Sequence, residues 1–69
     1  MITHVLEMLK VVKDPIEYLE DLEIPYSVRN LQPFDPLGIS TLYVILIEYK
    51  NTKYTVGYRM IDGEWFYVQ

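Results

Sequence analysis

Apolar and polar positions change rhythm once along this chain, from a helical period in the first third to an alternation in the last. Val5, Met8, Leu9 and Val12 recur at i, i+3, i+4 and i+7, with Glu7 and Lys10 on the far side, which predicts a short helix over 4–13. Leu6 and Val11 widen its apolar stripe, and Thr3 stands where an N-cap belongs. The strongest local signal follows in Asp14-Pro15-Ile16-Glu17. Asp is a favoured N-cap, Pro fits the first helical position, and Glu three residues after the cap gives an acidic capping box. The first helix is therefore expected to end near Lys13, and a second to run over 15–22 with Ile16, Leu19 and Leu22 inward. Glu17, Glu20 and Asp21 face outward, and Pro25 is expected to stop the helix.

Beyond it the residue types turn to those of strands. Tyr26–Arg29 alternates and reads as a short edge strand. Residues 30–40 form a loop broken by two prolines and a glycine, whose Leu31, Phe34, Leu37 and Ile39 suggest that it folds back onto the body. Thr41–Tyr49, Tyr54–Ile61 and Glu64–Val68 are rich in β-branched and aromatic residues and read as consecutive strands. Asp62-Gly63 is a two-residue hairpin turn, since a type I′ turn needs positive φ twice. Taking Asn51-Thr52 as the other turn, Tyr49 faces Tyr54, Ile45 faces Tyr58, Tyr43 faces Met60, Tyr58 faces Tyr67, and Met60 faces Trp65.

Alternation then divides the sheet into two faces. One carries Tyr43, Ile45, Ile47, Tyr49, Tyr54, Val56, Tyr58, Met60, Trp65 and Tyr67. The other carries Leu42, Val44, Leu46, Glu48, Thr55, Gly57, Arg59, Ile61, Glu64, Phe66 and Val68. The expected fold is α+β, a single domain over 1–69: two short N-terminal helices packed on one face of a three- to four-stranded antiparallel β-meander. Gly57 offers a helix backbone room to approach, so the helices are expected on the Gly57 face, leaving the tyrosine face open.

Composition sharpens this picture. Of 69 residues 51% are apolar, with seven tyrosines and no alanine, so bulky side chains exceed what one small core can hide. The chain has no cysteine and one histidine, His4, which leaves no disulfide framework, no thiolate zinc site and no expected metal or cofactor. No apolar run approaches the ~18 residues of a membrane span, and Glu7 and Lys10 interrupt the only stretch that could act as a signal peptide; a cytoplasmic location is expected. The net charge of −4, with six scattered basic residues, disfavours binding to phosphate backbones.

Candidate chemistry is sparse. Ser27 and Ser40 lack the context of a nucleophile elbow, and a chain this short is hard pressed to enclose a substrate, so no enzyme is expected. Asp35 with Glu48-Tyr49-Lys50 echoes the acidic residue and E-x-K of metal-dependent nucleases of the PD-(D/E)xK type. That fold needs flanking helices and a longer chain, and Lys50 falls in a turn, so a nuclease-like hydrolase is the third reading. The first is a small acidic protein–protein interaction module: a regulator, inhibitor or accessory subunit. Tyr43, Tyr49, Tyr54, Tyr58, Trp65 and Tyr67 would form its partner-binding surface. Glu17, Glu20 and Asp21 would steer it to a basic partner, and the apolar excess would pair it as a homodimer. The second reading is a single-stranded nucleic-acid-binding domain using the same aromatic face, weakened by the shortage of Lys and Arg beside it.

Overall fold

The computed structural model describes residues 2–31 and 40–69. Two helices, α1 (Ile2–Leu9) and α2 (Pro15–Asp21), precede four strands, β1 (Tyr26–Asn30), β2 (Ser40–Tyr49), β3 (Thr52–Ile61) and β4 (Glu64–Tyr67). The strands form one antiparallel sheet in the order β1-β2-β3-β4, an α+β meander. No helix among the described residues is long and apolar enough to cross a membrane.

α2 forms as its local sequence dictates. Asp14 is extended (φ −134°, ψ 101°) and its carboxylate accepts the N–H groups of Ile16 at 3.0 Å and Glu17 at 3.2 Å, with Pro15 in the first turn. The stop comes before Pro25. Glu23 is left-handed (φ 57°), its N–H donates to the Glu20 carbonyl, and the Ile24 N–H donates to the Leu19 carbonyl, both at 3.0 Å. This is the Schellman arrangement, with the flanking apolar pair Leu19 and Ile24 both buried. Leu22, expected inward, is exposed because the chain reverses there.

α1 is displaced from its expected span of 4–13. It begins at Ile2, so Thr3 lies inside it, and ends at Leu9. The last carbonyls of a helix have no partner within it. The Leu9 carbonyl finds one across the molecule, accepting the Tyr58 hydroxyl at 2.5 Å. Val11, beyond the helix, is 74% exposed rather than part of the stripe.

Both hairpins turn on two residues of positive φ, Lys50 and Asn51 (48° and 64°) and Asp62 and Gly63 (52° and 80°). The first turn therefore sits one residue earlier than expected, because Thr52 is β-branched and poorly suited to positive φ. Tyr49 pairs with Thr52, Ile45 with Val56 and Tyr43 with Tyr58, in place of the expected Tyr49–Tyr54, Ile45–Tyr58 and Tyr43–Met60. The slip is two residues, an even number, so each side chain keeps its face. The expected Tyr58–Tyr67 and Met60–Trp65 pairs are present. Past β4, the N–H groups of Val68 and Gln69 both donate to the Gly57 carbonyl (2.8 and 3.2 Å), and the Gly57 N–H donates to the Gln69 carbonyl at 2.6 Å. Two residues thus oppose one, a β-bulge at the sheet edge.

The core overturns the face assignment. Val5 and Leu9 of α1, Leu19 of α2 and Ile24 share one buried cluster with Ile45, Ile47, Val56 and Tyr58, all four of which belong to the tyrosine face. Ile2, Leu6, Val12, Ile16 and Tyr18 rest against the same cluster. A Cβ added at Gly57 would meet, among the described residues, only the backbone oxygens of Gln69 at 3.8 Å and Tyr43 at 4.0 Å. Neither α1 nor α2 approaches there. The tyrosine face suits a core because its centre is aliphatic, Ile45 beside Val56, and the aromatic side chains around it can turn polar tips toward water or a carbonyl. Of the loop expected to fold back, Leu31 is exposed, its N–H extending the β1–β2 ladder to the Leu42 carbonyl at 2.9 Å. Phe34, Leu37 and Ile39 lie outside the described residues.

Candidate functional site

Along α2, residues 14, 17, 18 and 21 fall at i, i+3, i+4 and i+7, so the cap places Asp14, Glu17, Tyr18 and Asp21 on one stripe of the helix. That stripe forms one wall of an open cleft of about 510 Å³. Val12 and Lys13 close one end, and Gly63, Glu64 and Trp65 at the β3–β4 turn form the opposite wall. By alternation the Glu64 side chain belongs to the other sheet face, since it pairs with Ile61. The carboxylates that the helix offers the cleft are therefore Asp14, Glu17 and Asp21. Asp14 already holds two backbone N–H groups, so Glu17 and Asp21 are the carboxylates left to meet a cation in the cleft.

Trp65 is propped in place. Its ring lies 5.4 Å from that of Tyr43 at 57°, and 5.6 Å from that of Tyr58 at 79°. Tyr58 in turn meets Tyr67 edge to face at 5.6 Å. Such tilted and edge-on pairs are each worth about 0.5–1.5 kcal/mol beyond burial, and they fix the orientation of the indole. Tyr58 anchors the set: it is 1% exposed and bound to the Leu9 carbonyl. Burial pushes its hydroxyl pKa up, with a smaller contribution from neighbouring Tyr67.

The structure thus divides the expected partner-binding set. Tyr43, Tyr58, Trp65 and Tyr67 come together, as the register implied. Tyr58 is a core residue with no open surface, which corrects its reading as a contact residue, and of the four only Trp65 lines the cleft. Tyr49 and Tyr54 lie toward the opposite end of the sheet, where Tyr54 rests on the core and the Lys50 ammonium sits 5.6 Å from the Tyr49 ring centre. The acidic set divides too. Glu17 and Asp21 line the cleft, whereas Glu20 accepts the Tyr26 hydroxyl at 2.7 Å. That hydrogen bond, with burial and the nearby charges of Glu20 and Asp14, raises the Tyr26 pKa.

Tyr18 is the cleft residue that the sequence reading missed. Its signal was the spacing from Asp14 and Asp21. Of the nuclease-like positions, Glu48 pairs with Lys53 across the hairpin, Lys50 occupies the turn, and Asp35 lies outside the described residues. Among the described residues, no three His, Cys, Asp or Glu side chains are grouped to hold a metal. The cleft offers carboxylates beside aromatic surface, which is the chemistry of cation recognition.

Comparison of the chain with protein-family models, with curated proteins and with solved structures returns no match.

Proposed function

We propose that this chain is a small acidic protein–protein interaction module that receives a basic segment of its partner in the cleft between α2 and the β3–β4 turn. The observation that carries this reading is the meeting of Glu17, Asp21, Tyr18 and Trp65 in one concavity. The two helices, packed on the tyrosine face, would act as the scaffold that holds α2 at this distance from Trp65. An Arg or Lys side chain entering the cleft would lie against the indole and pair with the carboxylates, and the net charge of −4 would speed its approach. Such a module acts by occupying a basic surface, as a regulator, inhibitor or accessory subunit would. A cytoplasmic setting fits this reading.

The test uses a fluorescent Lys/Arg-rich octapeptide with a Glu-rich peptide as control, titrated into the full chain at low and moderate salt. Saturable, salt-sensitive binding of the basic peptide alone is expected. Trp65→Ala should weaken it by roughly 30-fold, the equivalent of ~2 kcal/mol for a buried aromatic anchor. Glu17→Lys and Asp21→Lys should also weaken it, and Glu48→Lys, on the other face, should not. Equal affinity for all four variants, each verified as folded by near-UV circular dichroism, would remove the cleft from the function.

A further inference from the structure

We infer that the sheet face bearing Gly57 is where a second copy of this chain docks. Three residues spanning this face, Leu31, Phe66 and Val68, are 48%, 49% and 51% exposed. Leu42 and Val44 lie between them on β2, and the missing side chain of Gly57 leaves a groove of about 320 Å³ over the middle of the sheet. Phe66 stands one strand away from that groove, on the same face. The face therefore carries both a projecting ring and a hollow, and a two-fold contact lets each copy supply the ring that fills the other's hollow.

Charge favours this face over the helices as the place where a second copy docks. Residues 1–24 hold six carboxylates and two lysines, so they carry the whole net charge of −4, while residues 25–69 hold four of each sign. Two copies meeting through their helices would bring like charges together. Meeting through the Gly57 face keeps the acidic helices apart and joins surfaces of mixed sign, with Arg29 on the β1 edge and Glu64 on the β4 edge. The area sets the strength. Four strands about 4.8 Å apart and side-chain rows about 6.8 Å apart give a projected face of roughly 500 Å². That is below the ~800 Å² per partner of a standard interface, so the dimer is a weak one that dissociates at micromolar concentration. It presents its two acidic clefts on opposite outer sides and can hold two basic segments at once.

Sedimentation velocity of the full chain from low to high micromolar concentration tests this. A reversible monomer–dimer equilibrium is expected. Phe66→Lys and Val68→Lys, at half-exposed positions that leave the core intact, should both be monomeric with unchanged circular dichroism. Val11→Lys, exposed beyond α1, should dimerise as the wild type does. A wild-type chain that stays monomeric throughout overturns the proposal. So does a dimer that Val11→Lys breaks and Phe66→Lys leaves intact. The peptide titration of the cleft stands independently of either result.

Discussion

The two faces of this sheet both carry large apolar side chains and have opposite fates. On one, Ile45, Ile47, Val56 and Tyr58 are buried with the helices' own leucines and valine. On the other, Phe66 and Val68 stay about half exposed at 49% and 51%. Polarity already separates them, since the Gly57 face carries Glu48, Thr55, Arg59 and Glu64 and the tyrosine face no charged strand residue of β2, β3 or β4. The fate of polar tips and helix ends differs too. The tyrosine face supplies a buried hydroxyl that meets the orphan carbonyl at the end of α1, so the two polar groups satisfy each other inside the core. A buried tyrosine with a satisfied hydroxyl can thus serve a core as well as an aliphatic residue does.

The sharpest way to break this comparison is truncation on each face. Ile45→Ala should cost about 2–5 kcal/mol in urea unfolding, since the site is fully buried. Phe66→Ala, measured at low concentration, should cost under ~1 kcal/mol. A domain of this length has only about 3–10 kcal/mol in hand, so Ile45→Ala should forfeit a large share of it. Equal losses at the two sites would erase the distinction.

Tyr58→Phe isolates the hydroxyl. It leaves the Leu9 carbonyl buried without its donor and should cost about 1–3 kcal/mol. The pH dependence carries the same information. An unfolded tyrosine ionises near ~10, and burial raises the folded value above that. Between those values the unfolded state binds fewer protons. The hydroxyl's share of stability is therefore complete below about pH 10 and is lost as pH rises through the folded pKa. Urea midpoints compared at about pH 8 and about pH 11 should fall less steeply for Tyr58→Phe than for the wild type.

The smallest effect is expected at Gly57. With strand backbone at 3.8 and 4.0 Å as the nearest neighbours of a new Cβ, Gly57→Ala fits. It should raise the thermal midpoint through a gain of about 0.5–1 kcal/mol, by limiting the unfolded chain. A lowered midpoint would mean that something lies close over this residue.

Much of the architecture was legible from local chemistry. Asp14-Pro15 fixed the start of α2, and Asp62-Gly63 fixed the β3–β4 pairing of Met60 with Trp65. Period-two alternation divided the strand residues correctly between the faces, even though the first hairpin slipped by two. The choice of the buried face was missed, because alternation separates two faces without saying which one is covered and Gly57 suggested the wrong one. The charged Glu48, Arg59 and Glu64 on the Gly57 face pointed the right way, and the structure adds a hydrogen bond between residues 49 positions apart. The cleft shows the same limit. Glu17, Asp21 and Trp65 each stood out, but only the fold sets α2 across from the β3–β4 turn, and it turns Glu20 away toward Tyr26.

The central claim, that the helices cover the tyrosine face and leave the Gly57 face open, is tested most directly by nuclear Overhauser spectroscopy on the dilute chain. The account predicts cross-peaks from the Tyr58 ring to the side chains of Leu9 and Leu19, and none from the Gly57 α-protons to any residue of α1 or α2. Cross-peaks from Gly57 to the helices, with none from Tyr58, would contradict it and turn the sheet inside out.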